Sequence, residues 1–315
     1  MSRFILRRLA NLAAVWLGIS LLAFAVGNAA PGDPAEILLE RQQGVAPTAE
    51  AVERARRELG LDAPIPVRYL RWLGGALRGD FGRSFRTGQP VLRDLAQRFP
   101  ATLELALAAF VLAILVALPL GVLAAAHHRT AIDHASRLLA LLGASIPGFW
   151  ASYLLILFFS VWLHWLPVAG RGGARHLALP AVALSLGFTA TLARLVRASL
   201  LDELGQDYVR TARAKGLSEV AVLLRHALRN ALIPIVTFSG TRLGHLLAGA
   251  AVIETIFAWP GLGKHIVDSI YDRDYPAIQG FVLFMGTVFV LLNLAVDLSY
   301  RWLDPRVRFG EHLRG

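Results

Sequence analysis

The chain has 315 residues, 56% of them hydrophobic, and a formal net charge of +10. Its mean hydropathy of +0.54 is too high for an ordinary soluble domain. The absence of cysteine excludes disulfides, thiol catalysis and cysteine-ligated metal sites.

Long apolar runs dominate the sequence. A helix needs about 20 apolar residues to cross the hydrocarbon core of a bilayer. The runs are rich in Leu and Ala and lack the alternation of a transmembrane β-barrel. The sequence therefore predicts an all-α membrane protein with six transmembrane helices. The runs cover residues 9–29, 101–126, 138–165, 177–200, 231–255 and 278–300.

The distribution of basic residues predicts the topology. Arg3, Arg7 and Arg8 precede the first run and place the N-terminus in the cytoplasm by the positive-inside rule. Six crossings return the tail, with Arg306, to the same side. The positive charge thus reflects topology, and no nucleic-acid partner is expected. A cleaved signal peptide is the alternative for residues 1–30, although the apolar run is long for one.

This topology divides the chain into regions with different surroundings. In the extracytoplasmic region, Thr48 is predicted to cap a helix over 48–61. The amphipathic pattern of 66–85 suits either the membrane interface or a packed cap over the outer ends of the helices. The predicted regions are 1–30 (N-terminal end and first transmembrane helix), 31–99 (extracytoplasmic, with amphipathic helices), 100–303 (a five-helix core with a cytoplasmic loop at 201–230 and an outer loop at 256–277) and 304–315 (cytoplasmic tail).

Two local signals predict irregular structure near the membrane. Pro147, within the third run, predicts a kink that would set Phe149 and Trp150 against neighbouring helices. Residues 257–277 are too polar to span a membrane, and predict a re-entrant turn followed by a short helix.

No motif in the chain indicates an enzyme. In the string nearest to a phosphate-binding loop, Ala258 replaces the first glycine and His265 replaces the Ser or Thr. Ser145, in GASIP, lacks a nearby histidine that would activate it for proteolysis. The histidines show no metal-ligand spacing. We therefore expect neither catalysis nor a cofactor nor a metal.

The fifth apolar run contains ionisable residues. Gly240, Gly244 and Ala248 recur every four residues and favour close approach of another helix. Arg242 and His245 lie on one face about a third to halfway along the run. Charged groups at such depth usually face a cavity or a partner. The pattern predicts that both residues line a polar pathway; the alternative is pairing of Arg242 with an acid or carbonyl groups.

A basic segment between two apolar runs indicates a docking element. Ser218 is a suitable N-cap, and Glu219 in the first turn suits the helix dipole. Gly216 permits a sharp turn before this helix, whose side with Val222 is apolar and whose rim with Arg225 is basic. The pattern predicts a short cytoplasmic helix that fits a groove on another protein. Binding to anionic lipid is the alternative.

Several strings resemble one family, the inner-membrane permease subunits of bacterial ABC importers for dipeptides, oligopeptides and nickel. These strings are PGDPA (31–35), ELGLDAPIPVRYLRWL (58–73), DFGRSF (80–85), PATLEL (100–105), IPGFW (146–150), DYVRTARAKGL (207–217), RHALRNALIP (225–234), ETIFAWPGLG (254–263), RDYP (273–276) and LDPRVR (303–308). The resemblance covers much of the chain. It implies a type I importer fold in the bacterial inner membrane.

The resemblance also implies partners and a coupling site. The partners would be two ATP-binding cassette ATPase subunits, a second homologous permease subunit, an extracytoplasmic substrate-binding protein and membrane lipid. Against the family's general coupling motif, only Ala212, Gly216 and Leu228 match, and its glutamate and proline are absent. That departure weakens the inference of a salt bridge at the motif glutamate. The implied coupling residues are Ala212, Gly216, Ser218, Glu219, Val222, Leu223, Arg225 and Leu228.

The predicted function is the import of small peptides or a nickel chelate by alternating access, with ATP hydrolysed by the separate ATPase subunits. The alternative is a stand-alone secondary transporter or channel for a small polar solute. A proton-coupled transporter needs a carboxylate buried within the membrane, and runs two to six hold none at mid-depth, since Glu104, Glu254 and Asp297 lie towards the ends of their runs.

Overall fold

The computed structural model describes residues 2–29, 32–43 and 45–303, and the side chains of 13–28, 32–41 and 45–295. The predictions made for the side chains of Arg3, Arg7 and Arg8 and for the tail at 304–315 lie outside this part. The described residues form helices and no β-strand apart from one isolated bridge, between Arg83 and Pro90. The all-α prediction is therefore confirmed.

The helices follow one another with short connections. The first four are α1 (Ser2–Ala29), α2 (Pro34–Gln43), α3 (Ala49–Glu58) and α4 (Ile65–Ala76). They are followed by α5 (Val91–Ala126), α6 (Ala131–Ser145), α7 (Gly148–Leu155, extended by a π-helical segment Ile156–Trp162), α8 (Ala174–Leu204) and α9 (Asp207–Ala214). The last are α10 (Glu219–Ala221, extended by a π-helical segment Val222–Ala227), α11 (Leu228–Ile256), α12 (Leu262–Tyr271) and α13 (Tyr275–Leu303).

All six predicted apolar runs lie in helices. Four helices of the described chain are long and apolar enough to cross a membrane: Val91–Ala126, Ala174–Leu204, Glu219–Ile256 and Tyr275–Ala295. The pair α6 and α7 forms a fifth candidate, bent by 102° at its break. The first run lies in α1, whose described apolar part, Ala13–Asn28, is shorter than the other candidates.

The break between α6 and α7 has a local cause. Ile146 adopts an extended conformation (φ −82°, ψ 119°), as expected for the residue before a proline, and Pro147 has no N–H to donate. The predicted kink at Pro147 is confirmed, and it is a complete break. Phe149 and Trp150 are 51% and 47% exposed, and Phe149 lines a shallow pocket together with residues of α8 and α11. The expectation that both rings meet neighbouring helices remains a prediction for Trp150.

The chain divides into two compact units, with boundaries inside α5, α12 and α13. The first unit comprises residues 1–100 and 264–295, and the second comprises 101–263 and 296–315. The predicted division into 1–30, 31–99, 100–303 and 304–315 concerns position relative to the membrane and remains a prediction.

In the first unit, α1 and α13 pack closely in antiparallel fashion. A Cβ atom on Gly27 would overlap the side chain of Gln279, and one on Gly286 would lie 2.7 Å from Ile19. The indole of Trp16 donates a hydrogen bond of 3.0 Å to the Thr287 hydroxyl. Glycine therefore sets the close approach of these two helices.

In the second unit, α8 packs against α6, α7 and α11. Its buried residues include small ones such as Ala183 and Ala190, which permit close helix approach. Leu105, Ile253 and the fully buried Trp259 belong to the same apolar cluster. This unit contains the residues that the sequence singled out as functional.

Candidate functional site

The segment 207–228 forms two helical pieces joined by a tight turn. The N–H of Gly216 donates to the carbonyl of Arg213 at 2.9 Å, and the N–H of Leu217 donates to that of Ala212 at 3.3 Å. This pair of bonds is a Schellman cap, which needs a residue with positive φ at the position that Gly216 occupies. Gly216 has a φ of +79°. The turn predicted from the glycine is confirmed.

The beginning of the second piece also follows the sequence prediction. Ser218 is the N-cap of α10, and its hydroxyl accepts from the N–H of Ala221 at 3.4 Å. Glu219 lies in the first turn and accepts from Arg213 at 2.8 and 3.1 Å. These hydrogen bonds raise the pKa of Arg213 above its ordinary value. The ion pair connects the two helical pieces on either side of the turn.

The predicted short, separate helix after Ser218 is wrong in one respect. The backbone continues from Glu219 through the π-helical segment into α11, so that one helix covers Glu219–Ile256. The connection to the membrane run contains no glycine that would end the helix, and Pro234 is accommodated inside α11. The short independent helix of this segment is α9.

Apolar residues of the segment divide between a small core and the surface. Val209, Ala212 and Val222 are buried together, with Leu204 packed against them. Val222 is fully buried because it faces α9. This core holds α9 against the start of the long helix and fixes the orientation of the exposed residues.

The exposed side of this segment combines apolar and basic side chains. Val220 is 66% exposed and Leu224 49% exposed. We call this the α9–α10 surface; its members are Tyr208, Arg210, Arg213, Lys215, Leu217, Val220, Leu224 and Arg225, all exposed. Among the other predicted coupling residues, Leu223 and Leu228 are partly buried and Glu219 is exposed. The apolar side predicted around Val222 is thus split: Val222 is buried, whereas Val220 and Leu224 are exposed.

Arg242 and His245 lie in the middle of α11. The guanidinium carbon of Arg242 is 4.7 Å from the centre of the Phe238 ring, a cation–π distance. Phe238 in turn contacts Phe188, with ring centres 6.2 Å apart. Nδ1 of His245 is 3.1 Å from the carbonyl of Thr241. Arg242 forms no ion pair with the described carboxylates, which argues against an internal acid as its partner.

A buried ion pair between α6 and α8 was not predicted from the sequence. The carboxylate of Asp133, 1% exposed, accepts from Arg197 at 2.6 and 2.8 Å and from the N–H of Arg129 at 3.0 Å. Nδ1 of His128 lies 3.4 Å from the same carboxylate. Asp133 and Arg197 are 64 positions apart in the sequence, so only the three-dimensional contact identifies them as partners.

A second buried acid, Glu254, belongs to a hydrogen-bond network that connects α5 with the segment after α11. The carboxylate of Glu254, fully buried, accepts from the hydroxyl of Thr102 at 2.6 Å. The same hydroxyl accepts from the N–H of Leu262, and the indole of Trp259 donates to the carbonyl of Ala101 at 2.8 Å. A Cβ on Gly261 would lie 2.2 Å from the carboxylate of Glu254. Glycine is therefore needed where the chain passes over this acid.

Comparison with known proteins assigns the family. The family described as "binding-protein-dependent transport system inner membrane component" matches residues 117–309, and its N-terminal companion matches residues 1–106. The chain is 41% identical to the dipeptide transport system permease protein DppB of Escherichia coli strain K12, covering 98% of this chain and 99% of that protein. It is 44% identical to a putative peptide transport system permease of Brucella abortus strain 2308, covering 98% and 100%.

Solved structures support the fold. An inward-facing structure of the MetNI methionine ABC transporter aligns with a TM-score of 0.56 at 22% identity, covering 67% of this chain and 96% of the matched chain. An amino acid ABC transporter aligns with a TM-score of 0.54 at 15% identity, covering 67% and 94%. The type I importer permease fold is therefore confirmed, in a multi-pass protein of the inner membrane. The chain belongs to the family of binding-protein-dependent transport system inner membrane components.

Proposed function

We propose that the chain is the permease subunit of an ATP-driven importer of small peptides. The observation that carries this proposal is the 41–44% identity, over 98% of the chain, to relatives named as dipeptide or peptide transport permeases. Alternating access would move the cargo, as type I importers do. A nickel chelate would be the alternative cargo, since the sequence resemblance includes nickel permeases.

The α9–α10 surface is the proposed contact with the ATPase subunits. Its exposed apolar residues, Val220 and Leu224, suit a groove on a partner, and its basic residues supply charge complementarity. The Val209–Ala212–Val222 core and the Arg213–Glu219 ion pair make the surface rigid. A rigid lever that continues into α11 would transmit movement of an ATPase directly to a membrane helix.

The remaining partners follow from the proposed assembly. Two ATPase subunits would supply hydrolysis, and a second homologous permease would complete the pathway. A substrate-binding protein would deliver cargo to the surface formed by 31–99 and by 256–277. Arg242 and His245 would line the pathway, where a cation can meet a peptide carboxylate. The N- and C-termini would lie in the cytoplasm.

Purification and reconstitution test this proposal. We expect the chain to co-purify from native membranes with two ATPase subunits and a second permease, and to hydrolyse no ATP alone. In proteoliposomes with the binding protein, dipeptide uptake should require ATP. ATP hydrolysis by the isolated chain would contradict the proposal. Uptake driven by an ion gradient without ATPases would establish the secondary-transporter alternative, and nickel uptake without peptide uptake would reassign the cargo.

A further inference from the structure

The first unit contains an open pocket of about 820 Å³, whose lining residues have no individual role in the proposed transport function. Its walls come from the end of α1, the start of α13, the helix α4 and the loop at 80–88. This volume lies in the range of pockets that hold small organic molecules. The pocket is therefore large enough for a specific ligand.

The polar part of the pocket is positively charged. Arg68, Arg71 and Arg83 line it, with Asp80 as the acid among the lining residues. None of the three arginines forms an ion pair with a described carboxylate, although Arg83 donates to the carbonyl of Gly88 at 3.1 Å. A carboxylate oxygen of Asp80 accepts from the N–H of Gly82 at 2.9 Å. The guanidinium groups of Arg68 and Arg71 thus remain available to a phosphate or carboxylate.

The rest of the pocket is apolar and aromatic. Phe24 and Trp72 both line it, with ring centres 5.9 Å apart, and Leu38 lies on the other wall. A small inorganic anion would contact the arginines but leave the apolar wall exposed to water. A molecule with an anionic head and a hydrocarbon body would satisfy both parts.

The position of the pocket indicates the source of such a molecule. It lies where the apolar part of α1 ends and the candidate span of α13 begins. If both helices cross the membrane, this is the level of the lipid headgroups. The neighbouring helix α4 is amphipathic and exposes Ile65 and Leu70. Trp72 also belongs to the residue types enriched at this level.

We propose that this pocket binds an anionic phospholipid, with the headgroup phosphate on Arg68 and Arg71 and the upper part of an acyl chain against Phe24 and Trp72. The lipid would fix α4 against the ends of α1 and α13. This site is separate from the α9–α10 surface and from Arg242. It lies partly within the 31–99 region proposed to receive the substrate-binding protein, but its test measures lipid retention by the chain alone and so does not depend on transport.

Lipid retention by the purified full-length chain tests the site. Native mass spectrometry would compare phosphatidylglycerol retained by wild type with that retained by the double variant Arg68→Gln/Arg71→Gln. The matched control is Arg54→Gln/Arg57→Gln, which removes the same charge from two exposed arginines of α3. We expect at least tenfold weaker binding in the first variant and no change in the control. Equal binding by both variants would overturn the proposal.

Two further measurements identify the ligand. The second uses the wild-type chain, so its result does not depend on whether a variant folds. Glycerol phosphate and a dipeptide are added as competitors; displacement by either at the concentration of the lipid would overturn the assignment to lipid. In wild type, a phosphatidylglycerol carrying a photoreactive group near the top of its acyl chain should cross-link to peptides containing Phe24 or Trp72. Cross-linking confined to other peptides would also overturn it.

Discussion

Helices α3, α9, α11 and α12 all end with a residue in the left-handed region. The residues are Gly60, Gly216, Ala258 and Arg273, with φ between +46° and +79°. After each, the chain makes the two backbone bonds of a Schellman cap, as in Trp259 N–H to the Glu254 carbonyl at 2.8 Å. At Ala258 and Arg273 the cap holds a side-chain-bearing residue in a conformation that costs about 1 kcal/mol. At Gly60 and Gly216 the glycine itself indicates a helix end in the sequence, whereas the residue types of Ala258 and Arg273 do not indicate one.

Gly216 allows backbone strain to be tested without a steric clash. No atom lies within 4 Å of the place where its Cβ would be, so only the φ of +79° opposes substitution. Gly216→Val should disturb the turn, because β-branched residues rarely adopt positive φ, whereas Gly216→Asn should retain it. We expect the Val variant to insert normally but to lose co-purification with ATPase subunits and peptide uptake by more than tenfold. Wild-type assembly and uptake by the Val variant would remove Gly216 from the coupling site.

His265 gives the first unit a dependence on pH. Its ring is 1% exposed, Arg86 donates to Nδ1 at 2.9 Å, and the buried Nε2 has no partner among the described atoms. Burial, followed by the charges of Arg98 and Arg86, lowers its pKa to about 4. An unfolded histidine has a pKa of about 6.5. Between these values the unfolded chain binds more protons, so the free energy of unfolding falls as pH decreases.

The pH prediction is measured by thermal unfolding in detergent. From pH 7 to pH 5, His265 should lower the free energy of unfolding by up to about 2 kcal/mol, at 1.36 kcal/mol per pKa unit. His265→Gln should flatten this slope, whereas His134→Gln, at an exposed histidine of α6, should keep it. An unchanged slope in His265→Gln would show that another group titrates.

Between elements, close helix packing depends on individual glycines. A Cβ on Gly121 of α5 would lie 2.5 Å from Val196 and 2.8 Å from the carbonyl of Ala193 on α8. Gly187, also in the middle of a helix, has no atom within 4 Å of the corresponding position. The same substitution should therefore have opposite effects at the two sites.

Gly121→Ala and Gly187→Ala form a matched pair for this test. We expect Gly121→Ala to lower the free energy of unfolding by about 1–3 kcal/mol, as in overpacked cores. Gly187→Ala should raise it by about 0.5–1 kcal/mol, because alanine loses less backbone entropy in a helix. Differential scanning fluorimetry in detergent measures both. Equal shifts would mean that α5 and α8 are farther apart than the structure places them.

Local sequence signals predicted where helices begin and break, but not which helices contact one another. Thr48, Ser218 and Pro147 each acted where the sequence placed them, because a cap or a break depends on the residue itself and its immediate neighbours. The continuation of α10 into α11 passes through a π-helical segment, which has no sequence signal of its own. The Asp133–Arg197 ion pair joins two helices, so no helix taken alone predicts it.

At the scale of the whole molecule, hydropathy determined the class of protein and the positions of the runs. It did not predict that residues 264–295 group with 1–100, because that grouping rests on contacts such as Ser84 with Asp274, 190 residues apart. Nor did it decide which face of α11 meets water. The Phe238 ring now accounts for one side of Arg242. The other side of the Arg242 guanidinium is the side that would face the proposed pathway.

Cysteine accessibility tests the pathway, and the absence of native cysteine makes each introduced thiol the only one in this chain. Arg242→Cys and His245→Cys, in the assembled transporter, would be labelled with a small membrane-impermeant thiol reagent with and without ATP. If both positions line an alternating pathway, labelling should change with the nucleotide, because the same face meets water in one state and is closed in the other. Leu247→Cys, at a position 3% exposed on the same helix, is the control and should remain unlabelled. If 242 and 245 were also inert in both states and Arg242→Ala were several kcal/mol less stable, the residues would serve the bundle instead, since an unpaired buried partner carries such a cost.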